Sequence, residues 1–113
     1  MWLFTTDGFY SAVQHRDDPG LLMVRARKEV DLVNLRKALT PTGITLVIHH
    51  TPDADYAYRM VVPRTTWVRY LTHATMELDY PNFKDAVAQR QGLERADIYH
   101  DVWSVMWEFQ QDG

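Results

Sequence analysis

Apolar and polar positions alternate over short runs in the first part of this chain and recur at helical spacing in the last part. Residues 2–15 are rich in aromatic and β-branched side chains and read as a strand. Asp7-Gly8 interrupts it. That dipeptide signals a two-residue hairpin turn, and it equally fits a glycine bulge in one bent strand. The short arms, and the clear reversal that Asp17-Asp18-Pro19-Gly20 already provides, favour the bent strand. Leu21–Lys28 is a second strand. Val30–Leu39 is a helix with Val30, Val33, Leu35 and Ala38 among its apolar positions, stopped by Thr40-Pro41-Thr42-Gly43. Ile44–His49 is a third strand, Thr51–Asp55 a turn, and Tyr56–Val62 a fourth strand ending at Pro63. Thr65 or Thr66 caps the next helix, whose apolar positions include Trp67, Val68, Leu71, Ala74, Met76 and Leu78.

Asp79-Tyr80-Pro81-Asn82 breaks that helix, with Asp79 as a cap and Pro81 in a first turn. Phe83–Arg90 is a short helix, Gly92 interrupts, and Leu93–Gln110 is the last helix. Ile98, Val102, Val105, Met106 and Phe109 form one stripe on it, and Tyr99, Trp103 and Trp107 an adjacent one. The resulting apolar face is wide enough to need cover on two sides.

A strand pair followed by a helix therefore occurs twice. The copies share no residue motif beyond strand arginines, so they read as two halves of one sheet. The predicted fold is α+β: a permuted ferredoxin-like ββαββα antiparallel sheet of order 1-2-4-3, with two additional C-terminal helices. Residues 1–113 make one domain, 1–78 carrying the sheet and two helices and 79–113 a helical extension.

Composition narrows the function. The chain has 113 residues, 46% of them hydrophobic and 24% charged, as in an ordinary globular domain. There is no cysteine, which excludes a disulfide scaffold, a thiol nucleophile and a cysteine-based zinc site. The net charge of −3 argues against nonspecific nucleic-acid coating. Met1-Trp2-Leu3-Phe4 has no basic leader, and no apolar run spans a bilayer, so a soluble cytoplasmic protein is expected.

Strand alternation sorts the candidate chemistry. Leu22, Val24 and Ala26 share one face, and Met23, Arg25 and Arg27 the other. Tyr56, Tyr58, Met60 and Val62 oppose Ala57, Arg59 and Val61. Away from the helices the sheet then gathers Met23, Arg25, Arg27, Arg59, Val47 and His49, with Gln14 or a neighbour from the first strand. Arginine suits carboxylate, phosphate or base recognition, so Arg25, Arg27, Arg59 and His49 are the candidate site for an anionic ligand or partner. The competing reading is structural: the arginines pair with surface carboxylates or sit under the C-terminal helices. His49 and His50 are adjacent on a strand and point to opposite faces, which disfavours a shared metal. No serine triad and no phosphate-binding glycine loop is present, and no cofactor is expected. Trp2, Trp67, Trp103 and Trp107 read as core. Alternatively Tyr99, Trp103 and Trp107 form a partner or dimer contact.

Several strings carry a resemblance. Met1-Trp2-Leu3-Phe4-Thr5 with Gly8-Phe9-Tyr10-Ser11, Val24-Arg25-Ala26-Arg27, Asp55-Tyr56 with Tyr58-Arg59, Asp79-Tyr80 with Asn82-Phe83-Lys84, and Tyr99-His100 with Val102-Trp103 resemble a family of small bacterial and bacteriophage proteins. The resemblance covers nearly the whole chain and implies a self-contained domain, with no assigned activity and no catalytic residues. The leading expectation is a non-enzymatic binding or regulatory protein that holds another protein, or a second copy of itself, through the arginine face or the last helix. The rival is a small enzyme or ligand sensor, with His49, Arg25, Arg59 and Tyr58 around a pocket that takes an anionic small molecule or nucleotide between the sheet and the C-terminal helices.

Overall fold

The computed structural model describes residues 1–40 and 45–113. They divide into two compact units, Met1–Leu78 and Asp79–Gly113.

The first unit is an antiparallel sheet with helices packed on one of its faces. Its strands are β1 (Trp2–Thr5), β2 (Gly8–Gln14), β3 (Leu21–Ala26), β4 (Ile48–His50) and β5 (Tyr58–Pro63). Its helices are α1 (Glu29–Leu39) and α2 (Arg64–Met76). The α+β class is as expected. The strand order is not: among the described residues five strands run β1-β2-β3-β5-β4, in place of four in the order 1-2-4-3.

The difference arises at Asp7-Gly8. Residues 2–15 form a hairpin, pairing Trp2 with Ser11, Phe4 with Phe9 and Thr5 with Gly8. The reason differs from the usual one for this dipeptide, because Gly8 does not take a positive φ. It is needed for close approach. A Cβ on Gly8 would lie 2.6 Å from Asp31 Cβ and closer still to its carboxylate carbon. Side chains from both helices then hold the hairpin tip. Asp31 Oδ2 accepts the Phe9 N–H at 3.1 Å, Asn34 Nδ2 donates to the Asp7 carbonyl at 2.9 Å, and the Tyr70 hydroxyl donates to Asp7 Oδ2 at 2.8 Å. Thr5 Oγ1 lies 2.8 Å from that same hydroxyl, and the Tyr10 hydroxyl donates to the Asp31 carbonyl at 2.7 Å.

The core sits between the sheet and α1 and α2. It contains Tyr10, Val24, Leu32, Leu35, Met60, Val62, Trp67 and Tyr70. α1 carries Glu29 and Asp31 in its first turn and Arg36 and Lys37 in its last, which complements the helix dipole. It buries Asp31, Leu32, Leu35 and Leu39, whereas Val30 faces solvent. α2 starts at Arg64 directly after Pro63, so Thr65 and Thr66 lie inside its first turn and do not cap it. β4 is shorter than the Ile44–His49 strand read from sequence: Ile44 falls outside the described residues, and Leu46 enters the core from irregular chain. The expectation of tryptophans throughout the core is also corrected. Trp67 is 3% exposed, but Trp2 is 69% and Trp103 and Trp107 are each 48% exposed.

The second unit is a helix pair, α3 (Phe83–Gln91) and α4 (Leu93–Gln111). Asn82, not Asp79, caps α3, its side chain accepting the Asp85 N–H at 3.0 Å. Gly92 joins the helices at φ 97°, a left-handed conformation that favours glycine. The residues this unit buries are Ala86, Val87, Ala96 and Tyr99, with the Phe83 ring stacked on Tyr99. Among the described residues no helix is long and apolar enough to cross a membrane.

Candidate functional site

Register brings most of the sequence-predicted sheet residues into one line. Ser11 pairs with Arg25, Arg25 with Arg59, and Arg59 with His49. Directly opposed residues share a face, so Ser11, Arg25, Arg59 and His49 form a row across β2, β3, β5 and β4. Trp2 extends the row onto β1. All five lie on the face opposite α1 and α2. The neighbouring rows on that face are apolar: Val13, Met23 and Val61 on one side, Phe4 and Phe9 on the other. The Phe4 and Phe9 rings stack 4.4 Å apart, and Trp2 meets Phe9 edge-on.

Gln14 does not belong to this face. It pairs with Leu22 on the helix side and accepts from Arg64 at 3.0 Å. Tyr58 is on the helix side too, opposite Ala26 and stacked on His50. The pocket residues His49, Arg25, Arg59 and Tyr58 therefore do not converge on one face.

Sequence reading placed Tyr56 with Tyr58 on the helix side. The strand begins only at Tyr58, and Tyr56 turns to the arginine side. The Arg25 and Arg27 guanidinium carbons lie 4.6 and 4.3 Å from its ring centre, a cation–π arrangement. Asp55 completes the cluster. Its carboxylate is 2.8 Å from Arg59 and 3.9 Å from Arg25, and its carbonyl accepts from Arg27 at 3.0 Å. Arg25 also donates to Ser11 Oγ at 2.7 Å. The arginines thus hold the segment before β5 against the sheet. Two guanidinium groups meet the Asp55 carboxylate and a third its carbonyl, so among these four residues the cluster keeps a positive excess.

The second candidate surface is α4. An ideal helix advances 100° per residue, which puts Val105, Ile98, Phe109, Val102 and Met106 in one sector of about 100°. These five side chains are 39–69% exposed. Tyr99 and Ala96 fall in the next sector and face α3. Trp103 stacks on Trp107 at 5.6 Å and on His100 at 5.5 Å, and Lys84 Nζ lies 4.7 Å from the Trp103 ring centre. Asp97, Asp101, Glu108 and Asp112 occupy the remaining sector, beside the exposed stripe. Of the predicted contact residues, Tyr99 is buried and holds the helix pair together, whereas Trp103 and Trp107 stand half-exposed.

Two features that sequence reading missed are structural in form. One is the hydroxyl–carboxylate network of Thr5, Asp7, Tyr10, Asp31 and Tyr70. Burial is the main cause that pushes both tyrosine hydroxyls well above the ordinary tyrosine range. For Tyr10 the neighbouring Tyr70, Asp7 and Asp31 add to it. For Tyr70 the Thr5 hydrogen bond works the other way and Asp7 adds to the rise. Gly8 beside Asp31 was the available signal, but it needed the hairpin to be legible. The other is an apolar groove of about 360 Å³ between β2, β3 and α2, lined by Val13, Leu22, Trp67, Val68 and Leu71 among others. Among the described residues no group of three histidine or carboxylate side chains is placed to hold a metal ion. Compared with known proteins, this chain matches no family model, no curated protein and no solved structure.

Proposed function

We propose that this chain is a non-enzymatic binding protein, acting in the cytoplasm of a bacterium or in a phage-infected cell, that holds another protein chain through α4. The single observation that carries this reading is the apolar stripe Ile98, Val102, Val105, Met106 and Phe109, every member of which is 39% exposed or more. The helix pair buries only Ala86, Val87, Ala96 and Tyr99, too little core for an element of its size. Covering five half-exposed aliphatic and aromatic side chains yields on the order of 5 kcal/mol, at about 1.5–3 kcal/mol for each full burial. A protein surface supplies that cover. An anionic membrane does not, because the polar sector of α4 is acidic.

The sheet unit fits a permuted ferredoxin-like domain, with the hairpin strand β2 standing where that fold has its last strand. Its arginine row is the second contact surface of the same protein. Affinity capture from bacterial lysate tests the reading, with the unaltered chain and a Val105→Glu/Phe109→Glu variant as baits. Proteins retained by the first and lost with the second are expected. The same retained set from both baits overturns it.

A further inference from the structure

The groove between β2, β3 and α2 lies wholly within Met1–Leu78, apart from the arginine row and from α4. Arg64, Trp67, Val68 and Leu71 stand at i, i+3, i+4 and i+7 of α2 and so share one side of that helix. Ala12, Leu22 and Trp67, each no more than 7% exposed, form the floor of the groove, and Val13 and Val68, 40% and 54% exposed, stand at its rim. Its polar side chains, the Trp67 indole N–H aside, are Arg64 and Gln14, which meet at the end where α2 begins. Among the described residues no carboxylate lines it. Apolar walls with a few polar groups gathered at one point are the usual build of a small-molecule site.

Arg64 is held at that end by neutral partners. Its Nε donates to the Pro19 carbonyl at 2.9 Å and its Nη2 to Gln14 Oε1 at 3.0 Å. The ion pairs among the described residues are those of Arg25, Arg59 and Arg90, so the charge of Arg64 has no carboxylate beside it. The two hydrogen bonds fix the guanidinium in place, and the remaining N–H groups of its fork suit an incoming anion. Volume sets the size of the ligand. At about 30 Å³ for each water-sized group, about 360 Å³ takes about twelve non-hydrogen atoms, the two oxygens of a carboxylate and about ten carbons.

We propose that this groove binds a medium-chain monocarboxylate, its head on Arg64 and its apolar tail running along α2 towards Leu71. The site is independent of the protein contact through α4 and adds a small-molecule ligand to it. Charge selects the head group. One guanidinium balances one negative charge, whereas a phosphate monoester brings about −1.5 to −2 at pH 7 and finds no second cationic side chain in the groove. A cationic head would meet Arg64 with like charge. Shape selects the tail. The floor and rim are aliphatic apart from the Trp67 ring, and they supply no further polar side chain along Val68 and Leu71 for a hydroxylated or charged tail.

A ¹H–¹⁵N NMR titration of the whole chain with decanoate, up to about 2 mM, tests this. Saturable shifts of the Ala12, Val68 and Leu71 amides and of the Trp67 indole N–H are expected, with a Kd below about 1 mM. Hexanoate, four CH₂ groups shorter, is expected to bind at least about tenfold more weakly, since each fully buried CH₂ is worth up to about fourfold. Decyltrimethylammonium, with the same tail and the opposite charge, is expected to be weaker by at least about tenfold as well. Arg64→Gln removes the cation and Val68→Glu places a carboxylate on the rim; both positions are exposed, and circular dichroism checks that each variant is folded. Each is expected to weaken decanoate at least about fivefold. If Arg64→Gln does not fold, Val68→Glu decides. No shift at about 2 mM, shifts confined to α4, decyltrimethylammonium bound as tightly as decanoate, or a folded variant that binds decanoate as the unaltered chain does would each overturn the proposal.

Discussion

Raising the pH above 10 attacks the buried hydroxyl network that fixes the hairpin to α1 and α2. Tyr10 and Tyr70 are both fully buried, and burial raises both pKa values well beyond the ordinary value of 10.0. In the unfolded chain these tyrosines ionise near pH 10, while in the folded chain they stay protonated. Above pH 10 the folded state therefore holds more protons than the unfolded state. Stability is fully present below pH 10 and falls as pH rises towards the folded pKa values. Each tyrosine contributes a slope of about 1.4 kcal/mol per pH unit, so the two together remove about 4 kcal/mol by about pH 11.5. That is a large part of the roughly 5–15 kcal/mol that a domain has in total. Urea unfolding followed by tryptophan fluorescence at several pH values from 9 to 11.5 measures the slope. Absorbance near 295 nm counts ionised tyrosines among the six in the chain. Two of them are expected to ionise only as the fold is lost, and Tyr70→Phe should roughly halve the excess slope. Six tyrosines titrating near pH 10 in a still-folded protein would refute the reasoning.

Three further outcomes follow from the same contacts. Gly8→Ala drives a methyl group into Asp31 and weakens the Asp31–Phe9 hydrogen bond; it should cost about 2–4 kcal/mol in urea unfolding, whereas Gly20→Ala, whose Cβ meets only the end of a flexible Asp18 side chain, should cost under about 1 kcal/mol. Asp55→Asn removes the counter-charge of the arginine cluster. Because Asp55 is largely exposed, the loss should be about 1 kcal/mol or less at low ionic strength and smaller still in about 1 M salt; a loss insensitive to salt would contradict the ion-pair account. Val105→Glu/Phe109→Glu places two charges on an exposed stripe and should change unfolding of the sheet unit by no more than about 0.5 kcal/mol while abolishing capture of partners.

The faces of β3 and β5 were legible from alternation alone, since a period of two assigns Arg25 and Arg59 to one side wherever the strands are placed. His49 followed for the same reason. Ser11 and Trp2 joined the row only through the β1–β2 register, and that depends on a hairpin whose glycine answers to Asp31, a contact 23 residues away in sequence. Local turn statistics cannot see that contact. Tyr56 was misplaced because the two-residue period was extended past the strand's start at Tyr58, where cation–π contacts with Arg25 and Arg27 take over. On α4 the wide apolar face was plain in the spacing. Assigning Trp103 and Trp107 to the core failed because α3 offers that face little beyond Phe83, Ala86 and Val87, and sequence spacing says nothing of how much surface a neighbour can cover.

The claim that α4 is a protein-contact surface is tested most directly by a photo-crosslinking amino acid in place of Phe109, the most exposed member of the stripe at 69%. The altered chain is irradiated both purified and in bacterial lysate. Covalently joined pairs of protein chains are expected in at least one of the two samples. Single chains alone in both samples, with the probe fully consumed by solvent, would contradict it.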